Sequence, residues 1–287
     1  MGSIFDDIKL QYRIGGISNK MIYWNVGVFL LSLIFYQFKA GVFDFPDWLA
    51  LSSDPIVPLT RPWTLLTYAF LHGGFWHLFF NMMVLNFSSR LFLIFFTQKQ
   101  YLGLYILSAV FSGLVFVISF YFLGRISILV GASAAVMALL VATTTYQPLM
   151  EIRLLLIGNV RLWHITGVIL LLFLLQIGVE NTGGNIAHFA GAFFGYIYIK
   201  LLQDGTDLSK IVSKVIDFFA NLFSPKKTTP FKKVHVNPQK PAVKRESKIV
   251  VKDKAQQQLD EILDKISQSG YDSLTAEEKE FLFKAGK

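Results

Sequence analysis

The 287-residue chain contains no cysteine. That absence excludes a disulfide scaffold, a thiolate zinc site and a cysteine nucleophile together. Charge is also scarce: 16% of residues are Asp, Glu, Lys or Arg, against about 25% in an ordinary soluble domain. With 53% hydrophobic residues and 28 Phe, the composition argues against a water-soluble globule and for a membrane-embedded core. His-Glu-x-x-His is missing, and His72 and His77 are wrongly spaced to share a helix face, which argues against a zinc protease of that type.

The charge that is present is unevenly placed. Residues 203–287 hold 28 charged side chains in 85 positions, whereas residues 1–202 hold 18 in 202. The first part reads as a membrane domain and the second as a solvated tail. Lys226, Lys227, Lys232, Lys233, Lys240, Lys244 and Arg245 follow a hydrophobic span, so anionic lipid headgroups rather than nucleic acid are the expected counter-charge. A helix needs about 20 mainly apolar residues to cross roughly 30 Å of hydrocarbon. Six stretches approach that length: 21–38, 76–96, 101–123, 129–146, 162–179 and 185–202. No small-residue cleavage site follows the first, which is therefore expected to stay in the mature chain.

Lys and Arg near the spans set orientation. With a cytoplasmic N-terminus, the inner side collects Lys9, Arg13, Lys20, Lys99, Arg153, Arg161 and the basic tail, and the outer side keeps Lys39, Arg61 and Arg125. Both termini are thus expected in the cytoplasm, a pattern suited to a bacterial cytoplasmic (inner) membrane. The loop over 40–75 carries Trp48, Trp63 and four prolines, and is expected to lie at the outer interface.

Past the last span, Leu208, Ile211, Val212, Val215, Phe218 and Phe219 fall on one stripe and predict an amphipathic helix at the inner interface. Residues 225–250 read as a proline-containing linker. Leu259, Ile262, Leu263 and Ile266 are helically spaced, Gly270 stops the run, and Thr275-x-x-Glu278 resembles a capping box that opens a second short helix. The expected organisation is an N-terminal segment 1–20, a six-transmembrane all-α helix bundle 21–202, the amphipathic helix and linker 203–250, and a helical hairpin 251–287.

Strongly polar side chains inside spans are costly, so each is a functional candidate. His77 and Asn81 lie at i and i+4 on one face of the second span, Ser133 begins the fourth within Gly131-Ala132-Ser133-Ala134, and His188 lies early in the sixth. In an alternating bundle spans 2, 4 and 6 run the same way, so all four residues share one depth and imply one pocket. Gly191 and Gly195 continue the His188 face, and Ala134, Ala138 and Ala142 make a small-residue strip after Ser133; such strips let backbones approach closely. A serine hydroxyl needs a neighbouring base, and His188 is placed to serve, with no Asp or Glu at the same depth to make a triad. The oxyanion formed by attack on an amide needs preset donors, a task suited to His77, Asn81 and the Ser133 backbone N–H.

The motifs His77-Leu78-Phe79-Phe80-Asn81, Gly131-Ala132-Ser133-Ala134 and Ala187-His188-Phe189-Ala190-Gly191-Ala192-Phe193-Phe194-Gly195, in order on spans 2, 4 and 6, resemble the rhomboid family of intramembrane serine proteases over residues 21–202. The resemblance implies a Ser133 nucleophile, a His188 general base, oxyanion donors at His77 and Asn81, no metal or organic cofactor, and transmembrane proteins as substrates. It implies that the fifth span, 162–179, borders substrate access. Two departures stand out: Ala134 replaces the usual glycine after the nucleophile, and Met137 stands where members often carry an aromatic ring against the histidine. The alternative reading is an inactive rhomboid-like adaptor that binds transmembrane clients without cutting them.

Overall fold

The computed structural model describes residues 4–35, 38–39, 42–43, 46–154, 157–177, 181–223 and 254–285. The chain divides into two units, Met1–Lys226 and Lys227–Lys287.

The first unit opens with α1 (Ile4–Ile14) and α2 (Gly16–Phe35), followed by the paired strands β1 (Phe38–Lys39) and β2 (Val42–Phe43). The loop that follows is structured. It carries β3 (Leu51–Ser52), the short helices α3 (Ile56–Thr60) and α4 (Thr64–Thr67), and a 3-10 turn at Tyr68–Phe70. Trp48 and Trp63 are about half exposed, and the Trp63 indole donates to the Trp48 carbonyl at 2.8 Å. The rest of the bundle is α5 (Phe75–Phe95), α6 (Gln98–Leu123), β4 (Ile128–Leu129), α7 (Ser133–Tyr146), the hairpin β5 (Glu151–Leu154) and β6 (Gly158–Arg161), α8 (Leu162–Gln176), α9 (Thr182–Gln203) and α10 (Ser209–Phe223).

Helices α2, α5 and α6 are each long and apolar enough to cross a membrane. α7 and α8 are shorter apolar helices; at 1.5 Å per residue the 14 residues of α7 reach only about 21 Å. α7 tolerates this because it is the central helix. Nine of its residues, from Ala134 to Thr143, are buried by its neighbours, so most of its length meets protein and not lipid. The fourth span therefore starts at Ser133 and not at residue 129, because Ile128 and Leu129 pair antiparallel with Ser52 and Leu51.

Local chemistry fixes the helix ends. Thr97 and Gln100 form a reciprocal capping box at the start of α6 (Gln100 N–H to Thr97 Oγ1 3.2 Å, Thr97 N–H to Gln100 Oε1 2.9 Å), and Gly124 closes α6 in the left-handed region. Asn181, itself left-handed at φ 47°, caps α9 by accepting from Gly184 N–H at 3.2 Å; Asn is among the few residues that tolerate that conformation.

Contacts along the helices set their directions. Gly191 meets Ala134 and Gly195 meets Ala138, so α7 and α9 run parallel and backbone to backbone. Phe95 and Phe96 meet Tyr146, which places the ends of α5 and α7 together. Gly183 at the start of α9 abuts Phe116 and Phe120 near the end of α6. The starting ends of α5, α7 and α9 thus lie at one level.

In α10 the expected stripe divides. Leu208 and Val212 pack onto the bundle, while Ile211, Val215, Phe218 and Phe219 stay exposed. Asp207 anchors the turn by accepting from Ser209 N–H at 2.9 Å and from the Gln100 amide at 3.4 Å.

The second unit contains α11 (Lys254–Ser269), a 3-10 turn at Tyr271–Ser273 and α12 (Ala276–Ala285). Ile262 and Leu274 are buried in it, and the Lys265 ammonium reaches both Glu278 carboxylate oxygens at 2.9 Å. The Pro-containing linker and its basic residues, expected over 225–250, lie outside the described residues.

Candidate active site

Ser133 is the first residue of α7, reached through a backbone turn that only glycine accommodates. Gly131 has φ +127°, and a Cβ there would come within 2.9 Å of the His77 ring. The turn is pinned from the loop side, where the Gly131 N–H donates to the Tyr68 carbonyl at 2.9 Å. Tyr68 is itself buried, with its hydroxyl donating to the Ala109 carbonyl at 2.9 Å. As the first helical residue, Ser133 has a backbone N–H without an intrahelical acceptor, at the positive end of the helix dipole.

The Ser133 Oγ lies 2.6 Å from His188 Nε2. His188 is buried on α9, and its other ring nitrogen, Nδ1, has no hydrogen-bond partner among the described residues. Among the described residues no carboxylate completes a triad there. The ring of Phe173, from α8, lies against the imidazole instead, with centroids 4.2 Å apart and planes tilted by 40°.

His77 and Asn81 line the same cavity from α5. His77 Nδ1 accepts from the Gly73 N–H at 3.2 Å, so the proton of the neutral ring resides on Nε2. That nitrogen faces the Gly131 turn beside Ser133, which makes it a donor at the right end of the site. The Asn81 amide donates back to the His77 carbonyl at 2.9 Å, leaving one N–H of its NH₂ for another acceptor. The structure therefore brings all four sequence-derived candidates to one cavity of about 340 Å³, bounded by α5, α7, α8 and α9.

Two departures from the motif pattern have physical resolutions. Ala134 is buried with its methyl in an apolar cluster, and it is its carbonyl that faces Gly191. Met137 is buried among Leu91, Leu140 and Leu162; the aromatic ring on the histidine comes from α8. His72, in the loop before α5, is 3% exposed, with its ring 5.2 Å from that of His77.

Sequence reasoning also missed Phe173 and Asn185. Asn185 precedes His188 by three residues on the same face, is buried and lines the cavity; that spacing was the available signal. Nothing in the uniformly apolar α8 sequence singles out Phe173.

A half-buried serine against a buried histidine, in a cavity among apolar helices, defines a polytopic, all-α membrane protein with a polar site inside an apolar bundle. The chain belongs to the rhomboid family: the Rhomboid domain matches residues 59–204, half of its length, from the structured loop to the end of α9. Residues 250–284 match a family of unknown function, DUF6576. No curated protein matches the chain.

Proposed function

We propose that this protein is an intramembrane serine protease that hydrolyses peptide bonds in or near transmembrane segments of other membrane proteins. The observation that carries the reading is the 2.6 Å approach of Ser133 Oγ to His188 Nε2. His188 Nε2 takes the Ser133 proton as Oγ attacks the substrate carbonyl carbon. The oxyanion is received by His77 Nε2–H, the Asn81 amide and the Ser133 N–H, donors held in place before the charge develops. The imidazolium then protonates the leaving amine as the C–N bond breaks. In the second half, His188 takes a proton from water, hydroxide adds to the acyl carbonyl, and Ser133 leaves with its proton restored.

Both termini face the cytoplasm in this reading, as the Lys and Arg distribution favours, and the inner membrane of a bacterium suits it. The exposed Ile211, Val215, Phe218 and Phe219, beside Lys210 and Lys214, support a seat for α10 at the inner surface against anionic headgroups.

The test is cleavage of a single-span substrate by the purified protein in liposomes. Cleavage by wild type, lost in Ser133→Ala and His188→Ala, is the expected result. Client binding without cleavage by a folded wild-type protein would favour the adaptor reading and contradict this one.

A further inference from the structure

We propose that Phe173 is a positioning residue for the histidine of the dyad, performing from α8 the two tasks that a carboxylate performs in a triad. The inference rests on the protease reading above. For Nε2 to accept the Ser133 proton, the ring proton of neutral His188 must sit on Nδ1, yet Nδ1 is buried without a hydrogen-bond partner among the described residues. Among the described residues, then, no hydrogen bond from behind fixes the ring's rotation. What lies against the ring is Phe173, at 4.2 Å between centroids.

The contact limits rotation about the imidazole's own side-chain bonds by packing. It also places an aromatic face beside the ring that becomes cationic when it takes the serine proton. A cation over an aromatic face is stabilised, and in a site sheltered from water the effect is larger than at a surface. The neutral ring gains less, so the interaction grows toward the transition state and raises the rate of the chemical step.

The placement of Phe173 is specific. Leu162, Thr166, Ile169, Leu170 and Phe173 form the inward stripe of α8, whereas Leu171, Leu172, Leu174 and Leu175 around it are more than half exposed. Among the described residues the stripe's side-chain polar tie is at the opposite end of the helix, where the Thr166 and Thr144 hydroxyls lie 2.7 Å apart. The end of α8 that carries Phe173 is thus held, among the described residues, by apolar packing, and the orientation of the base follows the position of that end.

The experiment measures kcat and KM on a single-span substrate in liposomes, together with the rate of fluorophosphonate attachment at Ser133, for wild type, Phe173→Leu, Phe173→Tyr and Phe173→Trp. Folding is verified by thermal unfolding of each. Phe173→Leu should lower kcat and the attachment rate together by about tenfold, within the roughly 2- to 30-fold span of aromatic–cation contacts, with KM nearly unchanged. The aromatic variants should recover most of the loss. A Phe173→Leu protein that is folded and labels at the wild-type rate would overturn the proposal, as would a change confined to KM, or an equal loss in the leucine and both aromatic variants. Failure of wild type to label at Ser133 would instead overturn the protease reading, so the two failures are distinguishable.

Discussion

Gly191 of α9 lies directly against the carbonyl of Ala134 on α7, with no room for a side chain at that position. One turn on, Gly195 meets Ala138 in the same way. Close backbone approach of this kind supplies van der Waals packing in lipid, where burial of apolar surface gives helices little reason to associate. The same approach sets the registry of the His188 helix against the Ser133 helix, so packing and site geometry are one feature.

Gly191→Val should therefore damage both. Overpacking of a close contact costs typically about 1–3 kcal/mol, and the shift of α9 that relieves it separates Ser133 from His188. Thermal unfolding in detergent should show a lowered midpoint, with cleavage falling by more than the loss of folded protein accounts for. A variant with a wild-type midpoint and wild-type cleavage would show that the approach is not required.

His77 and Asn81 should not contribute equally. His77 presents its Nε2–H to the site, because Nδ1 is occupied by the Gly73 N–H, while the Asn81 amide is shared with the His77 carbonyl. Loss of one oxyanion donor costs about 10²- to 10³-fold in kcat. His77→Ala is expected to lie in that range and Asn81→Ala at or below its lower edge, in kcat rather than KM. The reverse order would place the principal donor on Asn81.

The cysteine-free sequence makes single-site labelling of α10 straightforward. A nitroxide on Val215→Cys, from the exposed apolar face, should be relaxed more by oxygen than by a water-soluble nickel chelate in anionic liposomes. One on Lys214→Cys should show the opposite preference. Equal, water-like behaviour at both sites would remove α10 from the membrane surface.

Glu278 provides a pH test in the second unit. Its carboxyl is held below the usual carboxylate range, first by the Thr275 backbone N–H and then by the Lys265 ammonium. A carboxylate with a depressed folded value stabilises the fold above its unfolded value, and that contribution is lost as pH falls through the folded value. Carbon chemical shifts over residues 276–285 should therefore report helix loss only on the acidic side of the ordinary carboxylate range. In Glu278→Gln that acid transition should be absent; an unchanged transition would assign it to other groups.

The apolar helices were legible because long apolar runs have few alternatives in a chain so poor in charge. The polar cluster was legible because His77, Asn81, Ser133 and His188 are rare exceptions in those runs and their depths agree. The start of α7 was not, since Leu129 is as apolar as a span; its exclusion follows from pairing with Leu51, far away in sequence. The β5–β6 hairpin was missed for its shortness. The division of the α10 stripe depends on Ser209 seating against Gly103, and the Phe173 contact depends on the rotation of a helix that is apolar all round. Both are tertiary facts without a local signature.

The central claim is that Ser133 is made nucleophilic by His188. Intact-mass analysis after exposure to a fluorophosphonate, with peptide mapping, tests it most directly. The account predicts one adduct, at Ser133, in the wild-type protein and none in the folded His188→Ala protein. A folded wild-type protein that takes up no label, or one labelled equally well without the imidazole, would contradict it.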